Sequence, residues 1–120
     1  MMDSKKLVKK WFGKWEEGDF YNLPITENFK HTSPFGTING REEYINLVEA
    51  NKDKFLGYRF VIQDEIYNMD KACVRYNAIQ RDFKLDVSEW YFISNNLIEE
   101  IVAYYHIGEI RADRKLSKPE

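Results

Sequence analysis

Apolar residues recur at helical spacing in the first part of the chain and at strand spacing in most of the rest. Leu7, Val8, Trp11, Phe12 and Trp15 fall on one side of a helical wheel, so residues 4–17 read as an amphipathic helix. Asp3 or Ser4 can cap its start, and Gly18-Asp19 ends it. Pro24 blocks any continuation. Residues 25–32 alternate as a strand, with Phe29 and His31 on one face and Asn28 and Lys30 on the other. Ser33-Pro34-Phe35-Gly36 makes a turn, and Asn39-Gly40 leads into a second helix over about 41–54, with Tyr44, Leu47, Val48 and Phe55 as its apolar stripe.

After Gly57 the period changes to two. Residues 58–68 place Tyr58, Phe60, Ile62 and Ile66 on one face, with Asp64 among them. Asn68–Lys71 is a hairpin turn. Residues 72–80 place Ala72, Val74, Tyr76 and Ala78 inward and Cys73, Arg75 and Asn77 outward. Residues 85–94 place Leu85, Val87, Glu89, Tyr91 and Ile93 on one face, and 97–107 place Ile101, Ala103, Tyr105 and Ile107 in phase. Helix, strand, helix and then a run of strands is an α+β order, with helices packed on one face of a curved antiparallel meander. One domain over 1–110 and a polar tail over 111–120 are expected.

Composition narrows the classes. At 43% hydrophobic residues the 120-residue chain carries enough apolar surface for a core. Aromatics reach 16%, and such side chains are overused in pockets and interfaces. A net charge of -2 leaves no electrostatic footprint for nucleic acid. Lys5, Lys6, Lys9, Lys10 and Lys14 cluster, either as the solvated face of the first helix or as a phosphate patch. The lone Cys73 builds neither a disulfide framework nor a zinc quartet. No segment reads as a signal peptide or a membrane span, so no membrane association and a cytoplasmic location are the default expectations.

Three stretches carry a resemblance: Trp15-Glu-Glu-Gly-Asp19; Ser33-Pro-Phe-Gly36 followed by Ile38-Asn-Gly-Arg-Glu42; and Asp86-Val-Ser-Glu-Trp-Tyr-Phe-Ile93 followed by Ile98 and Ala103-Tyr-Tyr105. Over about residues 5–107 the chain resembles the nuclear-transport-factor-2-like superfamily, in its SnoaL-like and ketosteroid-isomerase-like branch. The resemblance implies a cone-shaped curved sheet around a long helix, with a deep cavity at its open end. It also implies homodimers through the outer sheet face, which the outward Trp90, Phe92 and Tyr104 would suit. Members include isomerases, polyketide cyclases, epoxide hydrolases and dehydratases, alongside proteins that only bind, so fold does not fix function.

The branch's steroid isomerases use a carboxylate base, an oxyanion-binding tyrosine and a protonated late-strand acid. Carried over by position, these fall on Ser33, Trp11 and Glu89. Serine is no base near neutral pH and indole has no hydroxyl, so a standard steroid isomerase is not expected. His31 could instead move a proton, Glu89 on an apolar face could donate one, and Asp64 is a third candidate. Each also has a plainer reading. His31 could hydrogen-bond a neighbour and finish the core; Glu89 could pair with Arg75 or Arg59; Asp64 could sit at a rim or bulge; and Ser33 could cap the Pro34 turn.

The expected pocket wall is Trp11, Trp15, Phe29, Ser33, Phe35, Tyr76, Tyr91 and Tyr105, around a small hydrophobic ligand, with no cofactor. The two tryptophans read equally as core. His106, out of phase with Tyr105, would face a rim or an interface. Neither histidine shows metal-ligand spacing with Asp64 or Glu89, so no metal is expected. The open functions are a cofactor-independent acid–base enzyme, a non-catalytic binder, or an interaction module whose pocket is filled by its own aromatics.

Overall fold

A computed structural model describes residues 3–106, 108, 110, 112, 115 and 116. Helix α1 (Ser4–Glu17) is followed by a 3₁₀ turn (Phe20–Asn22), strands β1 (Ile25–Ser33) and β2 (Gly36–Asn39), and helices α2 (Arg41–Ala50) and α3 (Lys52–Phe55). Strands β3 (Arg59–Tyr67), β4 (Lys71–Gln80), β5 (Phe83–Ser94) and β6 (Leu97–Tyr104) complete the chain. The strands form one curved, open sheet in the order β2-β1-β6-β5-β4-β3, antiparallel throughout except where β1 runs parallel to β6. The α+β architecture is the one the hydrophobic pattern implies. Ile107 and much of the expected tail lie outside the described residues.

Helix α1 forms where its apolar stripe predicts. The Asp3 carboxylate accepts from the Lys6 N–H at 2.9 Å, and Gly18 ends the helix in the left-handed region at φ 80°. Leu7, Val8, Trp11, Phe12 and Trp15 are all buried against the sheet. Each such side chain contributes about 1.5–3 kcal/mol of burial, so packing rather than helix propensity holds α1 in place.

Three local features depart from the sequence expectation. A short strand, β2, pairs back onto β1 after the Ser33–Gly36 turn, with His31 opposite Ile38. The second helix stops at Ala50; Asn51, with φ -132°, turns its amide onto the Leu47 carbonyl, and α3 starts anew. Gln80 then donates to the Asp53 and Leu56 carbonyls, tying α3 to the end of the β4–β5 hairpin.

The third departure is a bulge in β3. Ile62 faces Tyr76, but Asp64 faces Arg75, so one extra residue intervenes and every later side chain changes face. Ile66, expected inside, is therefore 73% exposed.

Candidate functional site

Helix α1 lies across the concave face of β3 and β4, while α2 covers β1 and β2. Between them opens a cavity of about 630 Å³. Phe83, Leu85, Val87 and Glu89 alternate along one face of β5 and all line it. At ordinary strand rise, the six steps from Phe83 to Glu89 span roughly 20 Å. Trp11, Trp15, Phe55 and Phe60 supply opposing aromatic wall. Trp15 stacks on Phe55 at 5.8 Å, and Phe12 packs edge-on against Tyr76 at 5.0 Å.

Glu89 is the one acid among the described lining residues and is 5% exposed. Its neighbours across the sheet are Val74 and Ala103, which cannot solvate a charge. Burial pushes its carboxyl from 4.5 up to about 7, while hydrogen bonds from the Tyr91 and Tyr76 hydroxyls pull it back down. The Tyr91 hydroxyl donates to Glu89 Oε1 at 2.5 Å. Burial holds both phenols well above their ordinary range, so they remain donors. Glu89 thus stands near the midpoint of its titration at neutral pH, where one carboxyl can donate or accept a proton. No cation pairs with it among the described residues. Arg75 is taken by Asp64, with Nη2 at 2.7 Å, on the opposite face of the sheet.

His31 also lines the cavity, stacked on the Tyr44 ring at 5.2 Å. The ring keeps some open surface, yet the surrounding protein desolvates it and lowers its value from 6.5 to about 4. It is therefore a neutral imidazole at neutral pH and a weak base. Among the described residues no group hydrogen-bonds its ring. His31 sits beside Ile101 and Glu89 beside Ala103, so the two Cα atoms are separated by two strand spacings and two residues, roughly 12 Å along the sheet. Glu89, expected to hold a proton on its apolar face, is thus the wall group that titrates near neutral pH, while burial takes His31 below that range.

Of the other expected residues, Trp11, Trp15, Ser33, Phe35, Tyr76 and Tyr105 line the cavity. Ser33 Oγ accepts from the Phe35 N–H at 3.2 Å, which is the turn-capping role, and it also hydrogen-bonds Tyr105. Three expectations are corrected. Asp64 is turned outward by the β3 bulge, where its exposed carboxylate binds Arg75. Phe29 and Tyr91 are 0% exposed and lie in the core outside the cavity lining; Tyr91 reaches the site only through Glu89. His106, out of phase with Tyr105 as expected, is exposed and accepts from the Gly108 N–H at 3.0 Å.

Sequence reasoning passed over Tyr44, Phe60, Leu85 and Lys54 as wall residues. The first three were in phase with the core faces. Nothing in the periodicity marked Lys54. Among the described residues, no three His, Cys, Asp or Glu side chains gather to hold a metal. No helix among them is long and apolar enough to cross a membrane.

No protein-family model and no curated protein matches the sequence. Solved structures match the fold. A nuclear-transport-factor-2-like protein of unknown function from Cytophaga hutchinsonii is similar at 18% identity and a TM-score of 0.73, covering 88% of this chain and 92% of that one. A protein provisionally named a polyketide cyclase, from Xanthomonas campestris pv. campestris, is similar at 16% identity and a TM-score of 0.73, covering 92% and 96%. A SnoaL-like protein of unknown function from Burkholderia thailandensis is similar at 15% identity and a TM-score of 0.71, covering 85% and 92%. The chain has the nuclear-transport-factor-2-like fold. At such identities the likeness extends to the backbone and not to a reaction.

Proposed function

We propose that this chain binds one small, mainly apolar molecule in the cavity and acts on it by acid–base chemistry through Glu89, without a cofactor. The observation that carries this reading is the Glu89 carboxyl, held near neutral by burial, on the wall of an aromatic cavity of about 630 Å³. The reaction class is isomerisation, cyclisation, dehydration or hydrolysis, each of which needs a proton moved at an oxygen or a neighbouring carbon. Glu89 would exchange that proton. Tyr76 would stabilise charge on the same oxygen, and His31 would offer a neutral hydrogen bond. The names of several solved neighbours point to the same class.

The test is a turnover screen with apolar carbonyl compounds and epoxides, comparing the wild type with Glu89→Gln. An activity that Glu89→Gln reduces by about a hundredfold or more supports the assignment, since general acid–base catalysis supplies that much. An activity that survives the substitution at full rate overturns it. One observation favours a second reading, a binder that does no chemistry: among the described residues no group hydrogen-bonds the His31 ring to raise its basicity. That reading requires a ligand to bind the wild type and Glu89→Gln without turnover by either.

We also propose that a second copy covers the outer sheet face, where Trp90 is 42%, Tyr104 59% and Ile66 73% exposed. Sedimentation at micromolar concentration should give a dimer, and a monomer would contradict this.

A further inference from the structure

The wall of the cavity has a polarity along its length. Glu89 lies at one end of the β5 row that lines it, and Phe83 at the other, roughly 20 Å away. Gln80, the hairpin partner of Phe83, binds the carbonyls on either side of Lys54, those of Asp53 and Leu56. This tether places Lys54 at the Phe83 end. Between the two ends the β5 lining residues are Val87 and Leu85, with Phe60 and Ala78 beside them on β3 and β4.

The charged lining residues are divided by sign. Among the described residues they are, apart from Glu89, Lys54 and Lys115. Lys54 Nζ donates to the Lys115 carbonyl at 2.6 Å. That bond uses one of the three N–H donors of the ammonium. No carboxylate neutralises Lys54 among the described residues, whereas Lys52, two positions earlier, is paired with Glu49 at 3.1 Å. Lys54 is also only partly exposed, so part of its hydration is already lost. A cation at the Phe83 end of an apolar cavity favours an anion there, because the apolar walls keep screening water away.

Resting on the reading of the cavity as a ligand site, we propose that its ligand is an elongated amphiphilic anion. Its acidic group is held at the Phe83 end by Lys54, its apolar body lies against the aromatic walls, and its far end reaches Glu89. A carboxylate, sulfonate or phosphate ester on a rigid or extended hydrocarbon frame has this chemistry. A neutral hydrocarbon alcohol or ketone of the same shape lacks the group that Lys54 selects.

The probes are two dyes that share one ring system, the anionic anilinonaphthalenesulfonate and the neutral phenylnaphthylamine. Both are titrated by fluorescence into the full chain, its Lys54→Met, Lys54→Arg and Lys52→Met variants. The wild type should prefer the anion by roughly tenfold, the strength of one charge-assisted hydrogen bond. Lys54→Met should abolish that preference by weakening the anion alone, leaving the neutral dye within about twofold. Lys54→Arg should retain it, and Lys52→Met should not alter it. A wild type without preference, or a Lys54→Met variant that keeps the preference, overturns the proposal and leaves the cavity reading standing. Equal loss of both dyes in Lys54→Met that Lys54→Arg shares would make Lys54 a packing residue, which also overturns it. Failure of both dyes to bind the wild type overturns the cavity reading itself.

Discussion

At the scale of single residues, Glu89 and His31 are two buried titrations of opposite sense. The folded Glu89 value, about 7, lies above its ordinary 4.5. Across that window the native state holds a proton that the unfolded state has released, so this contribution to stability falls as pH rises, by about 3 kcal/mol in all. The folded His31 value, about 4, lies below its ordinary 6.5. There the unfolded state takes up a proton that the native state refuses, so this contribution falls as pH drops from 6.5 toward 4. The two slopes oppose each other over most of their range. Urea unfolding across pH should therefore show Glu89→Gln gaining on the wild type as pH rises through 4.5 to about 7, with no further change above. A constant difference between the two curves would mean that Glu89 is not desolvated.

At the scale of elements, periodicity made most of the fold legible. Helix α1 and strands β4 and β5 lie where their apolar spacing puts them, because each keeps its regular apolar face buried; Asn77, expected outward on β4, is buried as well and hydrogen-bonds Gln63 and Asp86. Strand β2 was illegible, since four residues of which three are exposed carry no pattern. Asp64 was misplaced for a physical reason: alternation assumes an unbroken ladder, and one extra residue in β3 reverses it. Asp64→Asn should accordingly cost no more than about 1 kcal/mol, the range of an exposed ion pair. Phe29→Ala, which empties a fully buried position on β1, should cost about 3–5 kcal/mol. Denaturant midpoints check both values. A large loss from Asp64→Asn would contradict the outward placement of its carboxylate.

At the scale of the whole molecule, the curved sheet and its helices leave a cavity that no local pattern specifies. Period-two spacing identifies which side chains face inward, but not how deep they lie. Val87 and Glu89 on β5 face the cavity, while Phe29 and Tyr91 share the same inward phase and end in the core. Depth also decides protonation: the burial that lowers His31 leaves no mark in its spacing. The Phe83 end around Lys54 depends on where α2 breaks and how Gln80 holds α3, both tertiary facts.

The proposed function requires Glu89 to be a carboxyl held near neutral on the wall of a cavity that takes an apolar ligand. Carbon NMR titration of its side-chain carboxyl, assigned by its loss in Glu89→Gln and repeated with saturating phenylnaphthylamine, tests this directly. The account predicts a midpoint near 7 in the free protein, moved upward when the neutral dye displaces water from the wall. A midpoint at the ordinary glutamate value of 4.5, or one that saturating dye leaves unmoved, would contradict it.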